Sequence, residues 1–170
     1  GFMDPNQSAL DAGVERVLHD WTNGGVPEIK NTLNPYEPIN GSVISYEDVA
    51  KYYSNEEDEK DFTYFRSIIQ DWDNTARYGG EAFIVHNSNP EVFQKWLETL
   101  IFYTRKTLPA DRRFLIVNAW NEWAEGAHLE PDSRYGYSYL NSVGRALSGR
   151  LYEADLNAGY CVTPHAKLHI

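Results

Sequence analysis

The sequence predicts a parallel α/β fold, because twice along its second half a short apolar run leads into a polar, turn-forming segment and then an amphipathic helix. The first run is Arg66-Ser-Ile-Ile-Gln70, which delivers its end into Asp71-Trp-Asp-Asn-Thr75. The second is Arg113-Phe-Leu-Ile-Val117, a continuous apolar stretch flanked by charge, as expected of a strand buried on both faces. It leads into Asn118-Ala-Trp-Asn-Glu-Trp-Ala-Glu-Gly126.

Taken in order, residues 8 to 20 are predicted as a helix, with Ser8 as cap and Leu10, Val14, Val17 and Leu18 on one face. Residues 21 to 42, rich in Gly, Pro and Asn, are predicted as a long loop. Tyr46 to Tyr53 carries Val49, Ala50 and Tyr53 at helical spacing, and the charge run from Glu56 to Asp61 reads as a solvated segment. Asn89-Pro90 opens the clearest helix: Asn caps, Pro takes the first position, and Val92, Phe93, Trp96, Leu97, Leu100 and Ile101 form the buried stripe, which stops near Leu108-Pro109. A last helix places Tyr137, Leu140, Val143, Leu147 and Leu151 on one face and fades by Asn157-Ala-Gly159. The pair Asp20-Trp-Thr-Asn23 and Asp71-Trp-Asp-Asn74 is a single short recurrence and supports no repeat architecture.

A chain of 170 residues suits one globular domain, and the start, Gly1-Phe-Met-Asp-Pro5, leads to the expectation that it begins inside a longer parent. A net charge of −10 with a pI near 4.9 argues against nucleic acid as partner, because that binding needs clustered cations. Neutral polymers remain open. One cysteine, Cys161, excludes an internal disulfide. No apolar stretch is long enough to span a bilayer, and no export signal is visible, which favours a cytoplasmic site. The sequons at Asn6 and Asn40 are adequately explained by chance.

The chemistry concentrates after the second strand. Glu122 and Glu125 stand three apart, so a helical turn there would project both carboxylates from one face, about 5 to 6 Å apart at their origins. Paired carboxylates perform general acid and base work, and glycoside cleavage is the reaction that most often uses them without metal or cofactor. Trp120 and Trp123 flank the pair with flat indole faces suited to sugar rings, and Asn118 and Asn121 can bond hydroxyls. His128 and Glu130 are further candidates for substrate contact. A metal held by Glu122, Glu125, His128 and Glu130 ranks lower, because no Cys pair or His-x-x-x-His spacing is present; no metal or cofactor is expected. Trp72, Asp73, Asn74 and Arg77 follow the other strand and would reach the same rim of a parallel barrel. The competing reading makes them a structural turn, with Asp73 or Asn74 capping and Arg77 in an ion pair.

Trp72-Asp-Asn-Thr-Ala-Arg77, the helix Pro90-Glu-Val-Phe-Gln-Lys-Trp-Leu97 and the block from Phe114 to Asp132 resemble the WbsX-like family, described as glycosyltransferases of surface-polysaccharide synthesis and as glycoside hydrolase family 99-like. The resemblance runs from about residue 64 to 147, with an echo at Tyr46 to Tyr53. It implies a (β/α)8 barrel and a carbohydrate substrate. The hydrolase relatives carry their two catalytic carboxylates in an Asn-Glu-Trp-x-Glu-Gly motif, which matches Asn121 to Gly126 here. Those relatives cut α-mannosidic bonds with retention, and the match implies Glu122 as the base that draws a proton from the 2-hydroxyl and Glu125 as the acid/base. A complete barrel needs at least ~200 residues. The chain is therefore expected to be the C-terminal portion of a (β/α)8 barrel-like domain.

Three functions follow as expectations: a glycosidase acting on polysaccharide, a glycosyltransferase of O-antigen or capsule synthesis, and a non-catalytic carbohydrate-binding module. For the second, the sequence offers no nucleotide-binding Gly-rich loop and no Asp-x-Asp beyond Asp71-Trp-Asp73.

Overall fold

The structure, a computed structural model, describes residues 12–15, 17, 25–33, 35, 38–54 and 62–153. Its elements in chain order are β1 (Ala12–Val14), β2 (Ser42–Ser45), α1 (Tyr46–Tyr53), β3 (Thr63–Phe65), β4 (Ser67–Ile69), β5 (Trp72–Asp73), α2 (Thr75–Tyr78), β6 (Phe83–His86), α3 (Pro90–Thr107), β7 (Ile116–Asn118), β8 (Asn121–Glu122), β9 (Ala127–His128) and α4 (Ser138–Ser148). The architecture is mixed α/β, with helices set against several small sheets. No helix among the described residues is long and apolar enough to cross a membrane.

Parallel pairing dominates. β1 runs parallel to β3, β4 to β7 and β2 to β6, with β5 antiparallel on the other edge of β6. Only Arg66 separates β3 from β4, and its carbonyl accepts from the Ile116 amide at 3.1 Å, so residues 63–69 form one ribbon that takes β1 along its first half and β7 along its second. The buried Glu15 stitches β1 to that ribbon. Its carboxylate accepts from the Ser67 amide (2.9 Å) and the Tyr64 hydroxyl (3.0 Å), while its carbonyl accepts from Ser67 Oγ (2.8 Å).

The helices start where the capping chemistry dictates. Ser45 Oγ accepts from the Asp48 amide at the head of α1. At α3, Asn89 Oδ1 accepts from the Val92 amide at 2.9 Å and Pro90 occupies the first turn, where its missing N–H costs nothing. We expect Asn89→Ala to remove about 1 kcal/mol of stability, read as a lower urea midpoint with unchanged slope, and Asn89→Gly only a few tenths. Equal midpoints for Asn89→Ala and the parent would show that the cap contributes nothing.

The core forms where α3 meets α1, the strands and α4. Phe93, Trp96, Leu97, Leu100 and Ile101 are buried, with Val92 at the margin, so the expected α3 stripe is the one seen. Trp96 meets Tyr46 edge to face at 5.9 Å, and Phe93 meets Tyr139 likewise at 5.3 Å.

Several expectations are corrected. Residues 12–14, inside the expected helix at 8–20, are a strand: Gly13 weakens a helix interior, and β-branched Val14 suits extended pairing with β3. Ser8 and the Asp20 to Asn23 stretch lie outside the described residues, as do the acidic run at 56–61, the Asn6 sequon and Cys161. The described part of the expected loop at 21–42 holds a 3-10 turn at Lys30–Thr32, and strand begins at Ser42. β7 is not buried on both faces. Phe114 and Ile116 are 57% and 41% exposed while Leu115 and Val117 turn inward, the alternation of a strand with one covered face. In α4, Tyr139, Ser142 and Ala146 are buried, whereas Tyr137 and Leu147 are exposed, as is Leu151 beyond the helix. Small side chains let α4 approach α3 closely, and Ser142 Oγ donates to the Pro90 carbonyl at 3.2 Å. The helix ends at Gly149 in the left-handed conformation (φ 71°), earlier than expected.

Candidate active site

The site is built on a hairpin at the C-terminal end of β7. A cis peptide joins Asn118 to Ala119, and the Ala119 carbonyl accepts from the buried Gln70 side chain and from the Leu129 amide. β8 and β9 then pair antiparallel, Asn121 with His128 and Glu122 with Ala127. Between them lies a 3-10 turn, Trp123–Glu125, closed by Gly126 in the left-handed region (φ 68°). A side chain at that φ is strained, which accounts for the glycine. Glu122 ends β8 and Glu125 ends the turn, and their common contact with Arg77 puts both carboxylates on one side of the hairpin.

Arg77 of α2 spans the two carboxylates. Its Nη2 lies 3.2 Å from Glu122 Oε1 and its Nη1 lies 3.2 Å from Glu125 Oε1. Glu125 is the more enclosed, 16% exposed in its side chain against 41% for Glu122. One guanidinium thus offsets two anions that would otherwise repel each other.

The aromatic and polar neighbours divide into two groups. Trp120 and Trp123 are about half exposed (53% and 50%), presenting indole surface beside the turn. Trp123 is held by stacking on His128, with centroids 3.7 Å apart, and by donating its Nε1–H to Glu130 at 2.7 Å. His128 lies between the Gly126 carbonyl (Nδ1, 2.9 Å) and Asp132 (Nε2, 3.2 Å), which braces the hairpin. Asn121 is exposed and open to a ligand.

The residues after β4 are committed to backbone. Asp73 Oδ1 accepts from the Thr75 amide at 2.9 Å, Asn74 Oδ1 from the Phe83 amide at 2.7 Å, and half-buried Trp72 packs against the core with its Nε1 buried and unpaired. Of this expected group, Arg77 reaches the carboxylates, by the ion pair that the competing reading describes.

A neighbouring cleft contains residues that sequence reasoning passed over. Asp71, Asp73, His86, Asn87, Ser88 and Arg134 line an open space of about 270 Å3 between the ends of β4 and β6 and the loop after β9. Asp71 Oδ1 accepts from Ser88 Oγ and from the Trp72 amide. Burial raises the Asp71 carboxyl above its ordinary range, partly opposed by the Ser88 and Trp72 bonds and by Arg134. Burial also pushes the Tyr135 phenol up, and its hydroxyl donates to the Ser88 carbonyl at 2.8 Å. The missed signal was the Phe83-Ile-Val-His86 run: read as a strand, it would have placed Asn87 and Ser88 at a strand end. Among the described residues, no three His, Cys, Asp or Glu side chains converge as metal ligands would.

Comparison with known proteins agrees with the motif. The family model for glycosyltransferase WbsX matches residues 3–143. Two relatives, each described as uncharacterized protein WxcX and coming from two strains of Xanthomonas campestris pv. campestris, are 32% identical over 145 residues. The match covers 85% of this chain but 20% of each relative, so the chain spans about a fifth of their length. No solved structure matches. With a family match across most of its length, the hairpin and its Arg77 clamp included, the chain belongs to the WbsX glycosyltransferase family.

Proposed function

We propose that this chain carries the acid/base centre of a carbohydrate-active enzyme that acts on glycosidic bonds of a polysaccharide, with retention of anomeric configuration. Glu122 is the base: it draws a proton from the 2-hydroxyl, whose oxygen bonds to the anomeric carbon as the glycosidic bond breaks and Glu125 protonates the leaving oxygen. Glu125 then takes a proton from the incoming hydroxyl, which attacks the anomeric carbon and breaks that internal bond while Glu122 returns its proton to the 2-oxygen. The observation that carries this reading is that Glu122, at the end of β8, and Glu125, in the 3-10 turn that follows, both lie within reach of a single guanidinium. Exposed Trp120 and Trp123 supply stacking surface, Asn121 and the Glu130 oxygen not bonded to Trp123 supply polar contacts, and His128 acts through the Trp123 ring that it holds in place. The position of the turn after a strand that pairs in parallel with β4 supports its assignment to the catalytic rim of a (β/α)8 barrel, of which residues 1–170 form a C-terminal portion and about 64–147 the family-like core.

The family's description as a glycosyltransferase favours a second reading, in which the same pair activates an acceptor hydroxyl for bond formation. The test is to incubate the full polypeptide with α-mannan-like and O-antigen oligosaccharides, with and without sugar nucleotides, and to read products by NMR. Cleavage with retention is expected. Products that appear only with a sugar nucleotide would establish the transferase reading instead, and binding without any product would leave a carbohydrate-binding module.

A further inference from the structure

The cleft beside the carboxylate hairpin has a polarity and position of its own. Both protein donors to Asp71 go to Oδ1, one from Ser88 and one from the Trp72 amide, which leaves Oδ2 without a protein donor. Asn87 enters the left-handed region (φ 67°), turning the chain sharply after β6 so that Asn87 and Ser88 line the space opposite. Arg134 stands at the rim with its guanidinium 4.7 Å from the Tyr135 ring, and Tyr135 is itself anchored to the Ser88 carbonyl. The lining therefore offers two carboxylates, Asp71 and Asp73, one guanidinium donor set, the His86 imidazole and two neutral amide or hydroxyl groups around a small space.

Its position ties it to the carboxylate pair. Gly126 follows Glu125 directly and lies against Asp71 and Asp73: a methyl on its Cα would stand 3.6 Å from the Asp73 amide nitrogen and 4.0 Å from Asp71 Cγ. The cleft and the carboxylate hairpin thus adjoin one another through Gly126.

We propose that this cleft is a subsite for one neutral sugar ring, next along the glycan from the ring attacked at Glu122 and Glu125. Asp71 Oδ2 accepts from a ring hydroxyl and Arg134 donates to a ring or hydroxyl oxygen. The volume, about 270 Å3, lies just below the roughly 300 to 1,000 Å3 of pockets for drug-sized ligands and suits one ring. Two carboxylates, Asp71 and Asp73, against one guanidinium leave the lining net negative, which selects against a uronic acid ring. The inference rests on the glycan-processing role proposed above.

The test is made in the full polypeptide carrying Glu125→Gln, so that ligands are not consumed. Binding is measured by titration NMR with gluco-, galacto-, manno- and rhamno-configured di- and trisaccharides, each with a uronate-terminated counterpart. At least one neutral series is expected to gain about tenfold in affinity from di- to trisaccharide. Asp71→Asn keeps the Oδ1 acceptor for Ser88 and Trp72 but puts an amide donor in place of Oδ2, and it is expected to erase that gain while leaving disaccharide affinity unchanged. Arg134→Ala, at an exposed position, is expected to remove most of the gain as well. Persistence of the gain in both variants, tighter binding of the uronate-terminated ligands, or no gain in any series would overturn the subsite. Turnover by the parent chain is scored separately: normal turnover with a persistent gain sinks the subsite alone, and loss of the gain without any turnover sinks the catalytic reading alone.

Discussion

Glu125→Gln is expected to lower turnover by about 100-fold or more while sugar binding stays within a few-fold of the parent. Glutamine keeps the shape of the side chain and an oxygen that can face Arg77 Nη1, so the 3-10 turn and the contact at 3.2 Å have little reason to rearrange. What the substitution removes is the exchangeable proton. Because Glu125 is the more enclosed of the pair, water is poorly placed to take over proton delivery to the leaving oxygen. The measurement is steady-state kinetics beside ligand titration. A variant that turns over at the parental rate would eliminate Glu125 as the acid, and one that loses binding and turnover together would give it a role in holding the sugar instead.

Trp96→Ala is expected to cost about 3–5 kcal/mol, a large share of the roughly 5–15 kcal/mol that holds a domain folded. Trp96 is fully enclosed, with its ring edge to face with Tyr46 at 5.9 Å and 6.3 Å from Tyr53, at the point where α1 and α3 meet. Its Nε1–H is buried without a protein acceptor. Trp96→Phe removes that unpaired donor along with some packing, so it is expected to cost much less than alanine. Urea unfolding separates the two variants by their midpoints. A loss below about 1 kcal/mol for Trp96→Ala would show that α3 is held by other contacts.

The long helix and the carboxylate motif were legible in the sequence because their signals are local. An Asn-Pro start and a stripe at helical spacing define α3 whatever else the chain does, and Glu122 and Glu125 are brought together by a turn of only three residues. The turn is 3-10 in a hairpin, tighter than the helical start anticipated, yet the shared side is the same. What was not legible depends on partners distant in sequence. Val14 fits a helical pattern until β3 is there to pair with it, and β2 and β6 are four-residue strands whose register only the other supplies. The inward face of α4 is set by close approach to α3, which favours Ser142 and Ala146 over the larger apolar residues that periodicity selects. Asp71 stood out only as half of an Asp-x-Asp pattern, and its pairing was hidden for the same reason: Ser88 comes from another strand end, 17 residues on.

The Arg77 clamp joins two scales of contact. The acids are neighbours by chain connectivity, and closing so short a loop costs little entropy, whereas their counter-cation arrives from 45 residues upstream of Glu122. Arg77 can meet both carboxylates only while α2 stays docked against the hairpin, so local opening of α2 removes the shared counter-cation while the short turn still keeps Glu122 and Glu125 near one another.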